Sequence, residues 1–271
     1  MEIINNKNML LNKIIGSAAI SLLLCSSSFI YAQKADTLSY HYLSVSDSAR
    51  AFDKDESPEA QVESNFPVFE EKLSHGKWMN IRVKKLLDLD TTSSFENGIV
   101  TSQKQYLEDY KKGMKGNENN GSASMNYMNT TEVEVSYNHK DFLVLSTTRY
   151  DYSGGAHGNH GTYHVCYDVL HRNVLMLQDI IKADSATLQK LVEAQFRTDN
   201  ELQPEDSLNT ILFENYLPAN NNFFINDKGL GFTYNPYEVA AYAFGTIDVL
   251  IPYQKLKQYL IPAFKRQMKI R

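Results

Sequence analysis

The sequence predicts an α+β fold: a mixed, mostly antiparallel sheet with helices packed on it, in two associated parts. Three observations carry this. Strand-like segments follow one another through short turns rather than regular helical crossovers, several helical stripes of period 3.6 lie between and after them, and two glycine-bearing turns mark hairpins.

The chain of 271 residues opens with Lys7 and Lys13, an apolar run from Ile14 to Leu24, and Phe29-Ile30-Tyr31-Ala32-Gln33. This is the pattern of a secretory signal peptide over residues 1–32, cleaved after Ala32, and it predicts an exported protein, periplasmic or extracellular. Cys25 follows Leu24, where a lipoprotein signal would place a small residue, so lipid anchoring through Cys25 is the weaker reading. The apolar run breaks at Ser26-Ser27-Ser28, short of the roughly 20 residues a membrane span needs.

Cleavage removes Lys7, Lys13 and Glu2 and leaves 25 basic against 31 acidic side chains. Such an acidic chain has no basic stripe and is not expected to bind nucleic acid. Cys166 is then the single cysteine, so no internal disulfide forms and an ordinary core must hold the fold.

Residues 33–65 read as a polar N-terminal segment in which only His41 to Val45 resembles a strand. Met79, Val83, Leu86 and Leu87 define one face of a helix over about 75–89, and Phe95, Ile99, Tyr106, Leu107, Tyr110 and Met114 define a second, ending near Gly113 or Gly116. Residues 66–125 form the first part and 126–271 the second.

In the second part, Val133, Val135 and Tyr137 alternate along a strand that turns at Asn138–Asp141 into Phe142-Leu143-Val144-Leu145. That unbroken apolar run predicts burial on both faces. A third strand runs from about Thr162 to Val169. Asp184 or Ser185 caps a helix carrying Leu188, Leu191, Val192 and Phe196. Residues 199–221 read as a loop or short helix. Phe223–Ile225 and Leu230–Tyr234 form a hairpin in which Gly229 is expected to supply a positive φ. A last strand, Ile247 to Ile251, leads into a closing helix opened by Pro252 and running through Leu260.

Between the second and third strands lies Tyr150 to Asp168, with four of the 13 glycines and three of the seven histidines. Three readings compete there. In the first, Gly154, Gly155 and Gly158 are backbone devices of a turn and His157 bonds a nearby carbonyl. In the second, His157, His160 and His164 ligate a metal, with a bound water as nucleophile, although no His-Glu-x-x-His helix or fixed carboxylate accompanies them. In the third, the stretch belongs to a binding face rich in tyrosine, with Tyr150, Tyr167, Tyr234 and Tyr242 nearby and Tyr152, Ser153, Gly154, Gly155, His157, Asn159, Tyr163 and Tyr237 as its residues. Ser153 lacks the Gly-x-Ser-x-Gly elbow, and the glycine run lacks the lysine of a phosphate loop, so no catalytic residue is assigned.

The run Tyr152-Ser153-Gly154-Gly155-Ala156-His157-Gly158-Asn159, together with Asn235-Pro236-Tyr237-Glu238-Val239-Ala240-Ala241-Tyr242-Ala243-Phe244-Gly245 and Ile251-Pro252-Tyr253, resembles the family of unknown function 3298. That family forms the extracellular C-terminal part of the anti-sigma-V factor RsiV and also occurs in the peptidoglycan deacetylase PdaC. Residues 66–125 look like the domain of unknown function 4163 that usually precedes it. The resemblance implies an exported or surface-exposed module without an assigned catalytic centre, and the chain is read as a cell-envelope module of unknown activity with no cofactor, an acidic monomer that binds a protein such as a lysozyme-like hydrolase or a glycan such as peptidoglycan. A membrane anchor, a sigma-binding segment and a deacetylase domain are not read in this sequence, so those roles are not carried over. The enzyme alternative is a metal-dependent cell-wall hydrolase or deacetylase.

Overall fold

A computed structural model describes residues 38–54, 56–72, 74–117, 125–139 and 141–271. The expected signal peptide over residues 1–32, Cys25 included, lies outside the described residues. Strand β1 (Tyr40–Arg50) pairs antiparallel with β2 (Glu59–Phe69), which pairs in parallel with β3 (Tyr127–His139). The parallel step needs a crossover, and α1 (Ser74–Leu86) and α2 (Phe95–Met114) supply it. β4 (Phe142–Tyr152), β5 (Asn159–Asp168) and the two-residue β6 (Asn173–Val174) then add antiparallel in chain order.

The mixed, mostly antiparallel sheet is as the sequence predicts, but the polar segment 33–65 holds more strand than expected. β2 alternates Ala60, Val62, Ser64 and Phe66 inward with Gln61 and Glu63 outward. Its inward positions include an alanine and a serine, so the period of two survives while the mean apolarity drops. β1 and β2 pair within the same sheet as β3, so one sheet runs across the boundary expected at 125/126.

A second sheet follows α3 (Leu177–Ile180) and α4 (Ser185–Asp199), the latter capped by the Asp184 carboxylate accepting from Thr187 N–H at 2.7 Å. It comprises β7 (Phe223–Ile225), β8 (Gly229–Tyr234) and β9 (Ile247–Pro252), all antiparallel. The expected closing helix is interrupted: α5 (Tyr253–Leu256) stops, Leu260 bridges Ile181, and α6 (Pro262–Gln267) starts afresh. Pro262 disfavours the helical region for Ile261, which separates the two turns.

β4 is buried from Phe142 to Thr147. Leu143 and Leu145 join Phe66, Met79, Val83 and Ile99 in a core under α1 and α2, while Phe142 and Val144 join Val192, Phe196, Phe232 and Ile251 in a core shared with the second sheet. A strand sandwiched in this way needs apolar residues on both faces, which explains its unbroken run.

Gly229 does not have the positive φ expected of it. A Cβ there would lie 2.2 Å from the carbonyl oxygen of Ile251 on β9, so glycine is required by close approach of two backbones.

β6 covers only Tyr167 and Asp168 of β5, leaving the rest of that edge without a strand. Two side-chain amides take its place. Asn222 accepts from His164 N–H at 2.9 Å and donates to Thr162 O at 2.8 Å, and Asn235 accepts from Thr162 N–H at 2.7 Å. These bonds attach the second sheet to the first and fix the floor of the site.

Candidate functional site

The turn from β4 to β5 is set by glycine. Gly154 and Gly155 take φ of 95° and 101°, a region L side chains rarely adopt. Gly158 serves differently: a Cβ on it would sit 2.4 Å from the ring of Tyr150. Tyr152 donates to Gly155 O at 3.1 Å, and His157 donates from Nδ1 to Gly158 O at 2.9 Å.

The same Gly158 carbonyl accepts from the Tyr242 hydroxyl at 3.0 Å. The His157 ring stacks on Tyr242 at 4.2 Å, His160 meets Tyr242 edge-on at 5.7 Å, and Tyr237 lies 5.5 Å from Tyr242. The glycine-rich turn is thereby joined to the Asn235–Gly245 segment, two stretches far apart in sequence.

Beside this cluster is an open groove of about 550 Å³. Tyr163 and Tyr237 stand on it, 54% and 55% exposed, and Asn220, Asn221, Asn222 and Asn235 line it with Pro236 and Glu238. Tyr237 has φ of 67°, an uncommon and costly conformation for a bulky residue. Bonds at either side hold it there: Tyr237 N–H donates to Ala240 O, and Glu238 N–H donates to Asn235 O.

Beneath the groove the amides are already committed. Asn220 donates to Thr233 O at 2.8 Å and to Glu238 Oε1 at 3.1 Å, and Glu238 Oε2 accepts from Asn235 N–H at 2.9 Å. Asn222 adds a bond to Thr233 O at 3.2 Å. The floor is therefore hydrogen-bonded before any ligand arrives.

Behind it runs a chain of polar side chains joining the two sheets. Thr233 donates to Asp248 Oδ1 at 2.5 Å, His164 Nε2 is 2.9 Å from Thr233 Oγ1, His164 Nδ1 is 2.8 Å from Ser146 Oγ, and Ser146 Oγ is 2.7 Å from Ser136 Oγ. Thr233 has one proton and gives it to the carboxylate, so Nε2 carries the hydrogen that bonds Thr233, and Ser146 donates to Ser136, which donates in turn to Val144 O at 3.4 Å. Burial holds the His164 imidazole below its usual range, partly opposed by Asp248. Burial likewise pushes the Cys166 thiol up to about 12, leaving it a small core residue.

Of the residues the sequence suggested for binding, Tyr163 and Tyr237 reach the groove. Tyr152, Ser153, Gly154, Gly155, His157 and Asn159 lie in or beside the turn and do not line it. Tyr167 and Tyr234 are core residues, the latter donating to Pro218 O at 2.6 Å. The metal candidates do not converge. His160 and His164 are four residues apart on one strand, about 13 Å at the usual rise, whereas ligands must each sit about 2 Å from a shared ion. His164 spends both ring nitrogens on Ser146 and Thr233. Among the described residues, no group of three His, Cys, Asp or Glu is placed to hold a metal. Sequence reasoning missed Asn220 and Asn221, which fell in the 199–221 loop, and Asn222 just after it; three consecutive asparagines before a strand were the available signal.

Comparisons with known proteins agree with the resemblance seen in the sequence. Residues 178–254 match the family described as "Protein of unknown function (DUF3298)", and residues 53–160 match the family described as "Deacetylase PdaC". The Tyr152–Asn159 run falls inside the second match and the Asn235–Gly245 segment inside the first; a separate match to the domain of unknown function 4163 does not appear. No curated protein matches the chain. Among solved structures, a DUF3298 family member from Bacteroides fragilis superimposes with a TM-score of 0.77 at 21% identity, covering 88% of this chain and 100% of its own. A DUF3298 family protein from Pseudomonas aeruginosa gives a TM-score of 0.63 at 20% identity, covering 84% and 97%. At such identities the likeness is one of fold. Among the described residues no helix is long and apolar enough to cross a membrane.

Proposed function

We propose that this protein, which carries a DUF3298 domain over residues 178–254, is an exported, non-catalytic module of the cell envelope that binds a protein or cell-wall ligand as an acidic monomer. The observation that carries the reading is the groove between Tyr163 and Tyr237, with two exposed aromatic faces over a floor in which the Asn220 and Asn222 amides are already hydrogen-bonded. A site that pays little to organise itself on binding suits recognition. The excess of acidic over basic side chains, 31 against 25 once residues 1–32 are removed, favours a cationic protein partner such as a lysozyme-like hydrolase, and peptidoglycan is the second candidate.

The name of the family matched by residues 53–160 raises deacetylation as an alternative. A metal-dependent hydrolase or deacetylase would need a ligand set, and the separation of His157, His160 and His164 weighs against the one the sequence offers. Calorimetric titration of the purified protein at low salt with lysozyme and with soluble peptidoglycan fragments tests the reading. Heat of binding with either supports it, and none with both overturns it.

A further inference from the structure

We infer that the Tyr163–Tyr237 groove is a subsite for a neutral hexopyranose unit of a glycan chain, an inference that rests on the reading of this groove as a ligand site.

The charge of the lining excludes the common alternatives. No lysine or arginine contributes to the groove, so an anionic group would find no counter-charge. The single charge is Glu238, and each of its carboxylate oxygens already accepts a hydrogen bond, from Asn220 Nδ2 and from Asn235 N–H. A cationic ligand would find this acceptor partly spent. A wholly apolar ligand would bury polar amides without replacing their bonds to water, which is costly.

What remains free fits a sugar. Asn222 and Asn220 are consumed in the floor, while Asn221 makes no hydrogen bond among the described residues and Asn235 uses only its oxygen there, leaving an amide NH2 free. The Tyr163 and Tyr237 hydroxyls add two groups that both donate and accept. A pyranose presents hydroxyls around its rim and C–H bonds on its face, matching an aromatic ring that is apolar in body and polar at its tip. The groove volume of about 550 Å³ falls within the range of roughly 300–1,000 Å³ usual for small-molecule sites. The left-handed backbone at Tyr237 holds that ring on the groove at a conformational cost.

The test is calorimetric titration of the purified protein with chitotriose, cellotriose, a hyaluronan tetrasaccharide and lysozyme, repeated on Tyr163→Ala and Tyr237→Asn. The inference expects a neutral trisaccharide to bind, hyaluronan not to bind, and each variant to weaken the neutral sugar at least tenfold with its thermal midpoint kept. Saturation-transfer NMR on the unaltered protein gives a readout independent of the variants, with transfer from aromatic protons strongest to sugar ring protons. If the neutral sugars fail while lysozyme binds the protein and both variants alike, the sugar subsite is wrong and the binding module stands. Tighter binding of hyaluronan than of the neutral sugars also overturns the subsite. If no titrant binds, both readings fall.

Discussion

His164 Nε2 lies 2.9 Å from Thr233 Oγ1, and through that contact a side chain of the six-stranded sheet hydrogen-bonds one of the three-stranded sheet. The bond is backed by Asp248 on one side and Ser146 on the other, so each ring nitrogen of the imidazole meets a hydroxyl.

A pH dependence follows from that arrangement. The folded-state pKa of His164 is below the unfolded value of about 6.5, so above 6.5 both states are neutral and the full stability is present. Below it the unfolded chain binds a proton that the folded ring resists, and stability falls until the pH passes the folded pKa. Urea unfolding at a series of pH values is expected to show this decline, and His164→Gln is expected to flatten it. An unchanged slope in the variant would remove His164 as the titrating group.

Tyr237 is held at φ of 67°. Asparagine adopts this region more readily, and the strain relieved is about 1–2 kcal/mol before the lost ring contacts are counted. Tyr237→Asn is therefore expected to unfold at the same temperature as the original protein or higher, by up to about 1 kcal/mol in stability, while its ligand affinity drops. Thermal unfolding measures this, and a midpoint lowered by several degrees would show that the ring serves packing instead.

At Gly229 the added methyl meets a backbone carbonyl at 2.2 Å, and neither β8 nor β9 can move aside cheaply. Gly229→Ala is expected to cost about 2–3 kcal/mol in urea unfolding. Gly113 in α2 has nothing within 4 Å of the same methyl, so Gly113→Ala is expected to stabilise by about 0.5–1 kcal/mol. Equal effects at the two positions would contradict the contact geometry.

The elements legible in the sequence were those with an uninterrupted period. The stripe from Phe95 to Met114, the cap at Asp184 and the apolar run at Phe142 each mark their element unaided. β2 escaped because Ala60 and Ser64 occupy inward positions, and the last helix looked continuous because its break depends on the bridge between Ile181 and Leu260. Gly229 was recognised as necessary for the wrong reason, since a turn composition cannot reveal a neighbouring strand. At the site, exposed tyrosines can be suspected from a tyrosine-rich sequence. No local pattern connects His164, Thr233 and Asp248, or Asn222 with Thr162, because tertiary structure alone brings them together.

The amides of Asn222 and Asn235 along β5 also bear on edge-to-edge pairing of one sheet with another. An open strand edge invites a neighbouring chain to add a strand and so seeds aggregation. Here Thr162 N–H, Thr162 O and His164 N–H are occupied by side chains that end after a single pairing and cannot propagate a ladder. The sheet is thus closed at this margin without being extended, and the two residues whose amides close it also line the groove.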